Sequence, residues 1–409
     1  MENPKIRFKG FTKDWEQRKL KEIADKVSEK NKNNEFSEPF TNSAEQGIIS
    51  QKDYFDREIV NNENLDSYYI VRNDDFIYNP RISVTAPVGP INRNRLGRNG
   101  VMSPLYTVFR THDIDNLYLE FYFKTTKWHR FMKLNGDSGA RFDRFTISST
   151  QFMEMPIPYP MLDEQRKMGE YFDSLDHLIT LHQRKCEQTK KLKKYMLQKM
   201  FPQNGAKVPE IRFYGFTYDW EQRKLGDIYG SIGNAFVGTA TPYYAEHGHF
   251  YLESNNVKDG QINHNAEIFI NDEFYEKQKD KWLHTGDIVM VQSGHVGHAA
   301  VIPEELDNTA AHALIMFRNP KEEIEPYFLN YEYQTDKAKK QIENITTGNT
   351  IKHILASDMQ EFVVDIPKYE EQKVIASYFC NLDHLITLHQ RKCDELKKMK
   401  KYMLQNMFI

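Results

Sequence analysis

An internal duplication constrains the fold of this chain more than any other feature of its sequence. The segment from Pro4 to Leu20 returns nearly unchanged from Pro209 to Leu225. The eleven residues from Asp176 to Cys186 reappear without a single change from Asp383 to Cys393. The two repeats are offset by 205 and 207 residues, so that half of the 409-residue chain is duplicated. A repeat of this length predicts two halves with the same architecture.

The regions between the repeated flanks differ between the two halves. Short stretches still correspond, such as 107–110 with 315–318 and 157–158 with 366–367. A constant frame around two unlike inserts is the pattern expected of two domains that recognise two different targets. Neutral drift after duplication is the simpler explanation, but it does not explain why the flanks stayed nearly identical. We therefore favour two recognition domains of different specificity.

Each half ends in a long helical segment, 163–200 and 370–407, which contains no proline and only one glycine, Gly169. Apolar or small positions recur every three or four residues, which is typical of a helix that packs along one face. At 1.5 Å per residue each helix is about 57 Å long and must bury this face to be stable. The closest match is the other copy, in an antiparallel pair. The residues predicted for helix pairing and partner docking are Leu175, Ile179, His182, Cys186, Leu382, Ile386, His389 and Cys393.

These patterns predict an α+β fold with two pseudo-symmetric mixed α/β domains, separated by two long antiparallel coiled-coil helices. The predicted segments are 1–160 for the first recognition domain, 161–202 for the first long helix, 203–368 for the second domain and 369–409 for the second helix. Within the domains, brief apolar runs predict strands, and 116–132 and 325–343 are predicted to be continuous helices.

Composition limits the class of protein. No run approaches the roughly 18 apolar residues that span a bilayer, and the N-terminus lacks an apolar signal region. Three cysteines without a CxxC pair fit a reducing cytoplasm, which we expect to be the location. The net charge of −3 means that any nucleic-acid surface must be local.

Catalytic and metal signatures are weak. The sequence has no GxxxxGK[ST], GxGxxG or HExxH motif, so we predict no catalytic residues. We interpret Asn79-Pro80 as a turn. An antiparallel pairing of the helices would allow His182, Cys186, His389 and Cys393 to form a Cys2His2 zinc set, but half-polar core layers are the commoner arrangement, and no metal site is predicted.

Basic and polar residues concentrate in glycine-containing loops, where they suit contacts to DNA bases and phosphates. Ordinary solvated surface is the alternative interpretation for each of them. The lysine run 190–194 is expected to face solvent or a partner protein. The candidate DNA-binding residues are Arg81, Arg93, Arg95, Arg98, Arg141 and Arg144 in the first half, and Ser293, His295, His298, Asn349, Thr350, Lys352 and His353 in the second.

The tandem halves, the Trp-Glu-Gln-Arg-Lys-Leu segments and the Leu-Asp-His-Leu-Ile-Thr-Leu-His-Gln-Arg helices resemble specificity subunits of type I restriction–modification systems. The resemblance covers essentially the whole chain. It implies that each domain recognises one half of an asymmetric, split site in double-stranded DNA. It also implies that the helices set the spacer and dock two methyltransferase subunits, which restriction–translocase subunits join.

Under this resemblance the chain holds no cofactor, because S-adenosylmethionine, ATP and Mg²⁺ belong to the partner subunits, and no membrane is involved. Two alternatives stay open: a stand-alone DNA-binding regulator with two domains, and a coiled-coil scaffold that binds proteins. A self-contained methyltransferase is disfavoured by the missing cofactor motif.

Overall fold

A computed structural model describes residues 3–54, 65–137, 143–203, 205–348 and 352–409. Three of the predicted DNA-binding residues, Arg141, Asn349 and Thr350, lie outside these ranges. The chain forms two compact units, which are described separately: unit 1 comprises 1–183 with 391–409, and unit 2 comprises 184–390.

Unit 1 is built from short strands and helices followed by the first part of a long helix. Its strands are β1 (Glu16–Lys19), β2 (Ala24–Lys26), β3 (Phe40–Ser43), β4 (Gly47–Ser50), β5 (Tyr69–Val71), β6 (Phe76–Tyr78), β7 (Ile91–Arg93), β8 (Gly100–Met102), β9 (Thr107–Thr111) and β10 (Pro156–Tyr159). Its helices are α1 (Gln51–Tyr54), α2 (Asn116–Phe123), α3 (His129–Asn135), α4 (Ser149–Met153) and the beginning of α5 (Leu162–Lys199).

The central sheet of unit 1 has the order β2-β9-β6-β7, with every neighbouring pair antiparallel. All three residues of β6 are buried, which explains why its sequence Phe-Ile-Tyr is apolar throughout. Phe76 stacks on Phe109 of the neighbouring strand with a centroid separation of 5.4 Å. β1 and β10 pair beside this sheet. The sheet and helices α2 to α4 enclose one apolar core.

Unit 2 is likewise built from short strands and helices, together with the remaining part of α5. Its strands are β11 (Glu221–Lys224), β12 (Tyr229–Asn234), β13 (Tyr244–Ala245), β14 (His249–Leu252), β15 (Val257–Lys258), β16 (Gln261–Ile262), β17 (Phe269–Ile270), β18 (Ile288–Val291), β19 (Ala299–Val301), β20 (Ala310–Ala311), β21 (Leu314–Pro320) and β22 (Val363–Ile366). The helices are α6 (Leu225–Ile228), α7 (Asp272–Glu276), α8 (Pro326–Glu332), α9 (Asp336–Ile345), α10 (Ala356–Gln360) and the beginning of α11 (Tyr369–Met407).

The central sheet of unit 2 repeats that of unit 1. Its order is β12-β21-β18-β19, again with antiparallel neighbours, and β11 pairs with β22 as β1 pairs with β10. The buried strand β18 occupies the place of β6. The peripheral strands differ, because unit 2 adds the four-stranded arrangement β13-β17-β14-β20. The two halves therefore share a central frame and differ at its edges.

The prediction of one continuous helix over 116–132, and of another over 325–343, is wrong. Each segment is broken into two, α2 with α3 and α8 with α9. Thr125 and Thr335 stand at the breaks, and each donates its hydroxyl to the backbone carbonyl three residues earlier. Thr335 also caps α9 by accepting from the Ala338 amide. A threonine that satisfies backbone groups locally competes with helix continuation, which accounts for the interruption.

The two long helices are confirmed, and their ends fall within one residue of the helical segments 163–200 and 370–407. In unit 1 the beginning of α5 packs antiparallel to the end of α11, so that Phe172 meets Phe408. In unit 2 the two helices are likewise antiparallel, and Phe201, just after α5, meets Phe379. Of the predicted pairing residues, Leu175, Ile179, Cys186, Leu382 and Cys393 are buried, whereas His182, Ile386 and His389 are half-buried.

The four residues of the alternative zinc set are divided between the two units. Cys186 belongs to unit 2, where its Sγ lies 3.8 Å from the Ile386 carbonyl oxygen, and Cys393 belongs to the apolar core of unit 1. Across the described ranges, no group of three or more His, Cys, Asp or Glu side chains is arranged to hold a metal ion. None of the described helices is both long and apolar enough to cross a membrane.

The repeated entry segments are attached to the long helices by the same ion pair in each unit. Arg7 donates to both carboxylate oxygens of Glu164, at 2.6 and 2.7 Å. Arg212 likewise donates to both carboxylate oxygens of Glu371, each at 2.7 Å. Both glutamates are buried. Bidentate pairs of this kind fix orientation as well as charge. The duplicated sequence at the start of each half thus fastens each domain to its helix.

Candidate nucleic-acid interface

Two loops that are distant in sequence come together in unit 1. The segment after β6 pairs antiparallel with the segment before α4, bridging Arg81 and Arg144. The Ile82 amide donates to the Asp143 carbonyl at 3.0 Å, and the Phe145 amide donates to the Pro80 carbonyl at 2.7 Å. Both arginines were predicted to bind DNA, and the backbone brings them side by side.

The conformation of the first loop is fixed by its own side chains. The Asn79 Oδ1 accepts from the Arg81 amide at 2.9 Å, and the Asn79 side chain donates to the Asn42 carbonyl at 2.8 Å. Gly89 packs against this turn with a φ of +82°, and a Cβ there would overlap the Asn79 carbonyl. The Asn-Pro turn is therefore held from two sides, which presents Arg81 to solvent on a rigid base.

Unit 2 repeats this loop pairing with different residues. Ser293 is bridged to His353 where unit 1 has Arg81 and Arg144. The Gly294 amide donates to the Lys352 carbonyl at 3.0 Å, and the Ile354 amide donates to the Gln292 carbonyl at 2.9 Å. These bonds match those of unit 1 position for position. The term "loop pair" is used below for 80–82 with 143–145 in unit 1 and for 292–294 with 352–354 in unit 2.

The histidines of unit 2 extend from its loop pair. His295 is exposed, and its ring lies 5.8 Å from that of His298. His298 Nδ1 accepts from the Asp259 amide at 3.2 Å, and burial lowers the pKa of His298 below its usual value. Between them Gly297 has a φ of +87°, and a Cβ there would lie 2.8 Å from Ile342. The turn therefore requires glycine in order to carry both histidines.

Three of the arginines that were predicted to bind DNA form ion pairs within unit 1 instead. Arg93, whose side chain is 11% exposed, donates to Glu120 at 2.8 Å and to Asp74 at 2.9 Å. Arg95 donates to Glu120 and to Asp173, both at 2.8 Å. Arg98 forms two 2.8 Å bonds with Glu38 and holds the pKa of that carboxyl below its usual value. DNA contact by these three stays a prediction, and their internal pairing does not favour it.

Arg81 and Arg144 differ from these three arginines. Among the described residues, the Arg81 guanidinium has no carboxylate within 4 Å, and Arg144 has only its neighbour Asp143 at 4.0 Å. In unit 2, Lys352 and His353 are exposed on the loop pair, and Ser293 is half-exposed. These side chains can reach a ligand outside the protein without first breaking an internal ion pair.

A basic surface on the long helices was not predicted as part of the site. In unit 2 a cavity of about 780 Å³ is bordered by the loop-pair residues Gly294 and Lys352, together with His295 and His298. Its opposite wall carries Lys190, Lys193 and Lys194 of α5. The lysine run was visible in the sequence, but its position relative to the loops depends on long-range packing.

Comparison with known proteins gives consistent results. A model of the type I restriction modification DNA specificity domain matches residues 12–191 and again 218–398. The type I restriction enzyme MjaVIII specificity subunit of Methanocaldococcus jannaschii is 23% identical over 321 residues, which are 76% of this chain and 73% of that protein. The putative MjaX specificity subunit of the same organism is 26% identical over 272 residues, covering 63% of this chain and 60% of that protein.

Solved structures share the fold. The S subunit of a type I restriction–modification system from M. genitalium aligns with a TM-score of 0.60 and 12% identity, covering all of this chain and 99% of that one. A chain from work on complex assembly and conformational transition of the type I R-M system aligns with a TM-score of 0.51 and 16% identity, covering 97% and 98%. With two matched domains across most of its length, the chain belongs to the type I restriction–modification DNA specificity family.

Proposed function

We propose that this chain is the DNA-specificity subunit of a type I restriction–modification complex, and that each unit binds one half of an asymmetric, bipartite site through its loop pair. One observation carries this proposal. The same backbone hydrogen bonds present Arg81 and Arg144 in unit 1 but Ser293 and His353 in unit 2. Equivalent backbone arrangements that present different side chains suit two half-sites that contain different bases.

The side chains suit this role chemically. Arginine makes bidentate contacts to guanine in the major groove and also binds phosphate. Serine and lysine contact both bases and backbone. We therefore expect unit 1 to favour a half-site that contains guanine opposite Arg81 or Arg144. The serine, lysine and histidine side chains of the unit 2 loop pair do not favour one base in the same way.

A repeated apolar surface on the long helices suits a repeated protein partner. Leucine, methionine and tyrosine side chains stand exposed on their outer faces, each 40% or more accessible. They recur at the 207-residue offset as Leu178 with Leu385, Leu192 with Met399, and Tyr195 with Tyr402. Exposed apolar side chains in register mark protein-binding surfaces. Unit 1 holds Leu178, Met399 and Tyr402, and unit 2 holds Leu385, Leu192 and Tyr195. We infer that the set in each unit docks one methyltransferase subunit, to which restriction–translocase subunits are added.

We infer that the buried members of the predicted pairing set do not serve this docking directly. Leu175, Ile179 and Leu382 are buried within their units and are therefore not available to a partner. We infer that they hold the helices together, while the exposed surface makes the contact. We also infer that the chain performs no chemistry, because the sequence has no motif for S-adenosylmethionine, ATP or Mg²⁺. These groups would then be bound by the partner subunits. We infer further that the chain works in the cytoplasm.

Methylome sequencing tests the proposal. The chain is co-expressed with the methyltransferase subunit in a host without other adenine methylation, and the methyltransferase alone is the control. The proposal predicts a single methylated motif with two unlike halves and a fixed gap, present only with this chain. A stable complex without such a motif would favour the scaffold alternative, and tight site-specific DNA binding without any methyltransferase association would favour the stand-alone regulator.

A further inference from the structure

Unit 1 contains a cavity with a strong excess of positive charge. Its volume is about 800 Å³, and it is lined by five lysines and one carboxylate, Asp176. Ile179 and Leu404 contribute apolar side chains to its lining. The five lysines are Lys124 and Lys127, which follow α2, and Lys397, Lys400 and Lys401 on α11.

The unit 2 cavity described above is its counterpart. Seven of the positions that line the unit 1 cavity recur in unit 2 at the 207-residue offset, and all seven carry the same residue type. The opposite walls, which come from the recognition domains, differ between the units, and that of unit 2 adds three carboxylates, Asp259, Asp336 and Glu343, and two lysines, Lys339 and Lys352. The recurring pairs are Asp176 with Asp383, Ile179 with Ile386, Lys397 with Lys190, Lys400 with Lys193, Lys401 with Lys194, Leu404 with Leu197, and Gln405 with Gln198.

One long-helix lysine in each cavity is paired with the shared aspartate, and in unit 1 Lys124 also contacts Asp176, at 3.6 Å, and Glu120, at 3.2 Å. Lys400 is paired with Asp176, and Lys193 donates to Asp383. The other two lysines that each long helix contributes are not paired with this aspartate. They are Lys397 and Lys401 in unit 1, and Lys190 and Lys194 in unit 2. Within the described part of the chain, Lys397, Lys401 and Lys194 have no carboxylate within 4 Å.

The last of these lysines, Lys190, forms an ion pair with Glu187 at 3.4 Å, and both side chains are exposed. An exposed pair of this kind contributes little free energy and exchanges readily for another anion. Two ammonium groups in each cavity are therefore available to an anionic ligand.

We propose that each cavity binds phosphate groups of the DNA backbone, independently of sequence. This inference rests on the proposed function. Bases differ between two half-sites, whereas phosphates do not, so that an identical residue set in both units fits the invariant part of DNA and the unlike loop pairs fit the variable part. Lysine is well suited to this role, since it binds phosphate as a point charge.

The position of the unit 2 cavity favours DNA over an acidic protein segment. Lys352 and the exposed His295 both line the cavity, and Lys352 also belongs to the loop pair proposed to contact bases. A duplex held by the loop pair would therefore bring its backbone toward α5. An acidic segment of a partner protein would not require the cavity and the loop pair to share a residue.

The test measures binding of the full chain to duplex DNA of unrelated sequence by fluorescence anisotropy over a series of KCl concentrations. Two double variants are compared, Lys397→Gln with Lys401→Gln and Lys190→Gln with Lys194→Gln. Each phosphate contact adds about 0.9 to the slope of log K against log salt, so each variant should lower that slope by about 2. The control, Lys191→Gln with Lys398→Gln, removes the same charge from exposed positions outside the cavities and should retain the slope of the unaltered chain.

The outcomes separate this inference from the proposed function. If the unaltered chain binds DNA with a steep salt dependence and both cavity variants retain it, the phosphate assignment is wrong while the proposed function stands. If the variants keep their DNA binding but lose association with the methyltransferase subunit, the cavities hold an acidic protein segment instead. Absence of salt-dependent DNA binding by the unaltered chain contradicts both. Circular dichroism verifies that each variant is folded.

Discussion

Lys193 donates hydrogen bonds to both carboxylate oxygens of Asp383, at 2.7 and 2.8 Å, and the same pair recurs as Lys400 with Asp176. Asp383 also accepts from the Tyr331 hydroxyl at 2.8 Å. Lys193 and Asp383 are mostly buried within unit 2. A buried charge tolerates only a register that supplies its partner, so these pairs align the antiparallel helices where apolar contacts alone would permit a shift.

Loss of this pair should destabilise unit 2. Replacement of Lys193 by methionine leaves the mostly buried Asp383 carboxylate without its counter-charge, at a cost of about 3 kcal/mol. The double variant Lys193→Met with Asp383→Leu removes both charges and should recover most of that loss. Hydrogen exchange of the amides in 184–199 measures the local opening free energy. Equal destabilisation by the single and double variants would contradict the role of charge complementarity.

The ion pair at the start of each half should matter equally in both units. Arg7→Ala removes the counter-charge of the buried Glu164 and should lower the unfolding free energy of unit 1 by about 3 kcal/mol, as Arg212→Ala should for unit 2 through Glu371. Arg7→Lys keeps the charge but loses the bidentate geometry and should cost less. Denaturant unfolding of each variant supplies the values. A loss below about 0.5 kcal/mol, as for a surface pair, would show that this contact does not fasten the domain.

The stability of unit 2 should decrease on acidification through His298. Burial lowers the pKa of His298 below 6.5, with smaller lowering from His295, Lys258 and Lys339, and Asp259 opposes them. Between the lowered pKa and 6.5 the unfolded state binds more protons, so that stability is complete above pH 6.5 and falls as the pH decreases to the lowered value. Thermal melting at about pH 7 and pH 5 should show this loss, and His298→Asn should reduce it. An NMR titration that gives a pKa at or above 6.5 would refute the assignment.

The exposed apolar surface of the long helices should control assembly. Leu178→Asp together with Leu385→Asp should weaken binding of the methyltransferase subunit at least about 30-fold, since each places a charge where an apolar contact is expected. The matched control, Lys191→Asp with Lys398→Asp, makes a larger change in charge at exposed polar positions. Analytical ultracentrifugation of the mixed subunits compares the two. Similar weakening by both pairs would point to charge rather than to apolar docking.

The repeat predicted much of this architecture. It predicted two similar halves and both long helices, because these depend on local periodicity and on direct identity between distant segments. The helix breaks at Thr125 and Thr335 were missed, because a hydroxyl that bonds to the backbone gives only a weak local signal.

The site was predicted less well, because its geometry comes from long-range contacts. The pairing of Arg81 with Arg144, and of Ser293 with His353, joins segments about sixty residues apart, which no local pattern specifies. Arg93 and Arg98 looked like free loop arginines, since the carboxylates that bind them, Glu120 and Glu38, are distant in sequence. A sequence shows which charges exist, but only the fold shows which of them are already paired.

The most direct test of the central claim measures methylation by the assembled complex on duplexes in which one half-site at a time is altered. Arg81→Ala with Arg144→Ala should reduce discrimination at the half-site bound by unit 1, with a loss of about 1–3 kcal/mol per base contact. Ser293→Ala with His353→Ala should affect only the other half-site. The account predicts this separation between the two variants. Equal loss of discrimination at both half-sites from either variant, or no loss at all, would contradict the assignment of one half-site to each loop pair.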